Sequence, residues 1–195
     1  MKRTCIIAVL VFHSVATLSF SSMRNERRGF ILGLGIGASF LTWSQDYGDG
    51  VMQASSDFEW VIPICTDIRI GFGLPNNRFI IYYWNKVNWF QVKTEEDASL
   101  TWNGLHALAA SYYFNSSVPS VYVNLGIGLS SWRQAWHVIE SASGLGVSAG
   151  VGYEFQRHWS VEAALMFTRP KTEYLLGSIT TNTFAISLCI VGILY

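Results

Sequence analysis

The chain has 195 residues, of which 50% are hydrophobic and only 13% charged, with 13 basic residues balancing 13 acidic ones. That length suits one domain. A charged share about half that of ordinary soluble domains disfavours a soluble protein, the want of a long apolar run after residue 20 disfavours a helical membrane protein, and the want of a basic excess disfavours a nucleic-acid partner.

A transmembrane β-barrel would show this combination, because it dilutes its apolar residues by alternation. Aromatics are 15% of the chain and include eight Trp. They are expected to gather in girdles at the two membrane interfaces, where amphipathic rings are favoured.

Residues 1–21 read as a secretory signal peptide. Lys2 and Arg3 supply the positive start, residues 5–20 the apolar run, and Ser19 and Ser21 the small positions before a cut near Ser21. Cys5 lies too early in that run to become a lipid-modified N-terminus. Residues 22–28 form a short polar leader, and 29–195 are the expected barrel. In the first strand Phe30, Leu32, Leu34, Ile36, Ala38 and Phe40 alternate with Ile31, Gly33, Gly35, Gly37 and Ser39. The glycines keep strand phase and lack the spacing and following helix of a phosphate loop. On the inner face they leave room for large side chains across a narrow lumen.

Residues 45–57 read as a long loop. The second strand, about 58–74, sends Phe58, Trp60, Ile62, Ile64, Ile68, Ile70 and Phe72 to one face. Glu59, Pro63, Cys65, Asp67, Arg69, Gly71 and Gly73 take the other. Pro63 lacks a ladder donor, so a bulge near the rim is expected there. Residues 75–77 form a tight turn. The third strand (78–92) and the fourth (104–114) carry aromatic or apolar residues on both faces and leave their phase open. Residues 93–103 read as a loop and 115–119 as a turn.

The next three strands are unambiguous. Val121, Val123, Leu125, Ile127 and Leu129 form one apolar row. Leu145, Val147, Ala149, Val151, Tyr153 and Phe155 form the second, and Val161, Ala163, Leu165 and Phe167 the third. Each alternates with small or polar residues. A period of two places the rows on one face of a sheet. With links at 137–143, 156–159 and 170–182 and a last strand at 183–195, the chain has eight strands. Its connections alternate long and short. That is the pattern of an antiparallel up-and-down barrel with long external loops (44–57, 93–103, 137–143, 170–182) and short periplasmic turns.

The hairpin from Gly150 to Glu162 and the ending Val191, Ile193, Tyr195 resemble the small eight-stranded outer-membrane barrels of the OmpA and OmpX type, from residue 29 onward. The resemblance implies export to the outer membrane, contact with its lipid, recognition by the barrel-assembly machinery through the terminal Val191–Ile193–Tyr195 rhythm, and a possible external ligand or host surface. Phe184, Ile186, Leu188, Ile190 and Leu194, in the opposite phase, are apolar too, so which side of the last strand meets lipid stays open. No residues remain for an OmpA-like peptidoglycan-binding domain.

Glu59, Asp67, Arg69, Glu154 and Glu162 are expected inside the barrel as a polar network around Arg69, in preference to an ion-conducting path. Acids outnumber the one base, so further partners are needed. Catalysis of the lipid-modifying kind would draw on His137, Glu140, Ser141 and Ser143, or on His106 and Ser111, which match no acyl-enzyme motif and are read as ordinary loop or barrel residues. Cys65 and Cys189 lie on strands two and eight, which are not neighbours in the expected order, so a disulfide is not expected. No Cys/His metal spacing exists, and no cofactor is expected. The resulting reading is a non-enzymatic barrel with a structural or surface-interaction role. The alternative is an acyl-chain-binding or lipid A-modifying barrel, and an inside-out soluble lipocalin-like barrel ranks last.

Overall fold

A computed structural model describes residues 26–48, 53–93, 98–134, 142–174 and 177–195. The expected signal peptide and most of the leader lie outside the described residues. The strands are β1 (Gly29–Gly48), β2 (Gln53–Ser55), β3 (Glu59–Val61), β4 (Ile64–Gly73), β5 (Phe79–Lys93), β6 (Ala98–Tyr113), β7 (Ser120–Gln134), β8 (Ala142–Gln156), β9 (Trp159–Tyr174) and β10 (Gly177–Leu194). From β4 to β10 each strand pairs antiparallel with the next, β4 also pairs with β1, and β10 returns to β1. The result is a closed ring of eight strands, with β2 and β3 prolonging the β4 wall along β1. The closing seam is an unbroken ladder from Leu32↔Leu194 to Gly48↔Ser178.

The three unambiguous rows face outward, as do the apolar rows of the first two strands. Leu145 is 70% exposed, Leu125 65% and Ile36 63%. At about 25 cal/mol per Å² such a belt is unfavourable in water and favourable against lipid tails. The open phases are settled by the space inside. β5 turns Ile80, Tyr82, Trp84, Lys86 and Asn88 inward, and β6 turns Leu105, Ala107, Ala109, Ser111 and Tyr113 inward. These rings find room because small residues face them: a side chain at Gly126 would begin 3.0 Å from Trp84, and one at Gly152 would run into the Tyr122 ring. On β10 the inward row is Thr183, Ala185, Ser187, Cys189, Val191 and Ile193, and the lipid row is Phe184, Ile186, Leu188 and Ile190.

Three expectations need correction. The long external loops are largely strand. β5 runs to Lys93 and β6 starts at Ala98, β9 runs to Tyr174 and β10 starts at Gly177, and β1 runs to Gly48. Polar residues mark the point where both faces of a strand leave the lipid, not the point where the ladder stops. Pro63 makes no bulge either: Leu41↔Val61 and Ala38↔Ile64 keep one register across it. Its carbonyl still accepts from the Ser39 amide at 3.0 Å, and only the return bond is missing. The register changes by one residue higher up, since Asp46 faces Ser55. Finally, the Trp residues do not all join interfacial girdles. Trp60, Trp89 and Trp159 stand on the outer wall, whereas Trp43, Trp84 and Trp132 are buried in the lumen.

Candidate functional site

The lumen is filled from one end to the other. In its middle, Arg69 of β4 donates to Asp67 through Nε (2.9 Å) and Nη2 (2.8 Å), and across the barrel to both Glu162 oxygens at 2.8 and 2.7 Å. Glu162 also accepts from the Tyr122 hydroxyl (2.9 Å) and Asn124 Nδ2 (2.7 Å), and Asp67 from Trp84 Nε1 (2.9 Å). Lys86 Nζ lies 3.8 Å from Glu162 and 5.2 Å from the centre of the Trp84 ring. Two carboxylates thus face two cations, all almost fully buried. A buried ion cluster is tolerable only when its charges are balanced, and here Arg69 Nη1 and Lys86 Nζ still lack a hydrogen-bond partner among the described residues.

A second cluster closes the end that carries the short turns. Arg27, buried, donates to Glu154 at 2.6 Å and to the turn carbonyls of Asn115 (2.9 Å), Asn77 (3.3 Å) and Ser117 (3.4 Å). Its guanidinium lies 4.2 Å from the centre of the Tyr113 ring. The other Glu154 oxygen accepts from the Tyr195 hydroxyl at 2.7 Å. One carboxylate therefore ties the N-terminal leader to the C-terminal residue.

Towards the opposite end the filling becomes polar and neutral, then aromatic. Ser39 donates to Asn88 at 2.7 Å, Asn103 to Thr168 at 2.9 Å, and Thr168 shares a hydrogen with Thr183. Above them the rings of Trp43, Phe90 and Trp132 pack tilted or edge-on, with centroids 5.4 to 5.9 Å apart.

Of the five residues expected in the interior network, Asp67, Arg69 and Glu162 meet in one cluster and Glu154 lies in another. Glu59 is exposed on β3, near the rim where that strand leaves the lipid, and takes no part. The missing bases are Lys86 and Arg27. Sequence reasoning passed over Lys86 because its strand shows apolar side chains on both faces, and Arg27 because it precedes any periodic run. Val191 and Ile193 point inward, and Tyr195 bonds Glu154.

The candidate catalytic pairs are not assembled. Ser111 points into the lumen and meets the Tyr82 hydroxyl at 3.0 Å, while His106, one strand position out of phase, meets the Tyr83 hydroxyl at 2.9 Å on the outer face. His137, Glu140 and Ser141 lie outside the described residues, and Ser143 is exposed. Among the described residues no His/Cys/Asp/Glu cluster of metal-binding type exists. The cysteines stand on β4 and β10, which are not neighbours, as expected. Cys65 and Cys189 both stand in register with Gly37, one on each side. With no side chain between them, the two free, buried thiols reach one another.

Among the described residues the wall has a breach between β3 and β5. The β4–β5 ladder ends at Ile64↔Trp89, and β5 continues to Lys93, whereas β3 pairs with β1 alone among the described residues. Val61 and Val92, on the two sides of the gap, pack partly buried against the interior. Phe58, Trp60 and Ile62 are exposed outside it.

No family model matches the chain, and no curated protein matches it in sequence. Solved structures do. The outer membrane protein OprG from Pseudomonas aeruginosa is 11% identical with a TM-score of 0.52, covering 88% of this chain and 99% of its own. Neisserial surface protein A is 14% identical with a TM-score of 0.47 (82% and 96% covered). Ail, the attachment invasion locus protein of Yersinia pestis, solved with the heparin analogue sucrose octasulfate, is 13% identical with a TM-score of 0.46 (83% and 98%). The ring of eight antiparallel strands and the likeness to OprG together give this chain the fold of the small outer-membrane β-barrels.

Proposed function

We propose that the protein is an integral outer-membrane barrel with a structural or surface-interaction role, exerted from the strand ends opposite the short turns, and that it is not an enzyme. The observation that carries this reading is the packed interior: among the described residues, ion pairs, polar groups and aromatic rings occupy the inside of a narrow barrel. What is free to meet a partner is the polar rim around Asp57, Glu59, Lys171 and Glu173, all exposed. The same proposal gives Val191, Ile193 and Tyr195 the part of a terminal signal for the assembly machinery, read while the strand is still unpaired.

The test is fractionation with boiled and unboiled samples, joined to labelling of intact cells. Cys65 and Cys189 are buried, so in the chain cut near Ser21 single variants Glu173→Cys and Arg78→Cys report the two ends separately. An outer-membrane band that shifts on boiling, with only Glu173→Cys reached by a membrane-impermeant maleimide, is expected. A soluble, unshifted protein, or labelling at position 78 instead, overturns the reading. Unchanged lipid A mass spectra with and without the protein are expected as well.

The breach favours a second reading, that the upper lumen admits an aliphatic chain between β3 and β5. Brominated fatty acid should then quench Trp43 and Trp132, and a Val61→Cys/Val92→Cys disulfide across the gap should abolish that quenching. Quenching that survives the staple, or is absent from the start, sinks it.

A further inference from the structure

A groove of about 320 Å³ lies across the closing seam at the short-turn end, lined by Leu32 and Leu34 of β1, Gly192, Ile193 and Leu194 of β10, and His158 and Trp159. Gly192 makes its floor and Trp159 its side. A side chain on Gly192 would begin 3.4 Å from the indole and grow into the space. Apart from His158 the lining is apolar, and the outward rows of β1 and β10 continue it into the lipid belt. Its occupant in a membrane is therefore a lipid chain.

The charges at its foot select which lipid. Arg28 ends the leader immediately before β1, and Arg157 precedes His158 in the β8–β9 turn. Both are exposed, and Arg28 is ion-paired with Glu26, which leaves Arg157 as the cation without an acidic partner beside His158 among the described residues. His158 is held in a left-handed conformation, φ 70°. Its Nδ1–H donates to the Ile193 carbonyl at 2.8 Å, and its ring packs at a tilt against Tyr195, with centroids 4.6 Å apart. With Nδ1 committed, Nε2 is the ring's acceptor, and it is buried without a protein partner.

We propose that this groove is a binding site for an anionic phospholipid with a hydroxylated headgroup. One acyl chain lies over Gly192 beside Trp159, the phosphate meets Arg28 and Arg157, and a headgroup hydroxyl donates to His158 Nε2. Basic residues beside an apolar groove favour anionic headgroups by attraction that survives at the membrane surface. A surface cation is worth about fivefold in lipid affinity.

Native mass spectrometry of the full barrel tests it, after equilibration with phosphatidylglycerol and phosphatidylcholine of identical chains in equal amounts. The expected result is a retained adduct of phosphatidylglycerol over phosphatidylcholine by at least about fivefold. Arg28→Gln/Arg157→Gln should remove the preference while keeping adducts of both lipids. Gly192→Leu should remove the adducts of both. The boiled and unboiled bands show that each variant is folded. Equal retention of both lipids by the unaltered barrel, or a preference that survives either change in a folded variant, overturns the site.

Discussion

Arg69→Ala is expected to lower the stability of the folded barrel by about 3–5 kcal/mol, the cost of leaving buried charges without their partner. Asp67 would lose both of its guanidinium bonds, and Glu162 would be left with Tyr122, Asn124 and a lysine at 3.8 Å. Two carboxylates in a dry interior with one cation between them must take up a proton or admit water. The measurement is urea unfolding in detergent micelles, followed by the fraction that keeps unboiled mobility. Arg69→Lys should fall between, because an ammonium keeps the charge and loses the fork that reaches two carboxylates at once. Lys86→Met should cost less than Arg69→Ala, since Lys86 Nζ makes no hydrogen bond among the described residues and Glu162 retains four without it. If Lys86→Met proves as damaging as Arg69→Ala, the guanidinium is not the centre of the cluster.

The second large effect is steric. A side chain at Gly128 would place its first carbon 2.0 Å from the His106 carbonyl oxygen and 2.5 Å from the Ala107 Cα. Both obstacles are backbone of the paired strand, which no rotamer change can move. Gly128→Val should therefore prevent β6 and β7 from zipping and leave no heat-shifting band at all. Gly48→Val is the control, because nothing stands within 4 Å of that position. Folded Gly128→Val of normal mobility would show that the strands can separate there at little cost.

The ring was legible because lipid outside and a narrow lumen inside impose opposite demands on successive residues. Where the inward residues are small, as Gly144, Gly146 and Ser148 are on β8, the alternation is plain. Where glycines across the lumen make room for Trp84 and Tyr82, both faces of β5 read as apolar and the phase vanishes, taking Lys86 with it. Glu59 failed for a different reason. It keeps the register of β4, but β3 pairs with β1 alone among the described residues, and the Glu59 side chain is exposed there. Arg27 could not be found by period at all. Its position depends on three turn carbonyls, contributed by residues 77, 115 and 117, that come from two turns set side by side by the β5–β6 ladder. Cys65 and Cys189 stand, as expected, on strands that are not neighbours; what the period did not reveal is that Gly37, on the strand between them, is in register with both. On a circle, two strands that are far apart in sequence share a neighbour, and a glycine in that neighbour lets their side chains meet.

That meeting gives the molecule an intrinsic clock. Cys65 and Cys189 are separated by nearly the whole barrel, and each is shielded only once β10 has docked on β1. A thiol reagent applied at intervals during refolding would modify chains whose seam is still open and spare those that have closed. The moment of closure can thus be timed without any introduced label, separately from the earlier formation of hairpins.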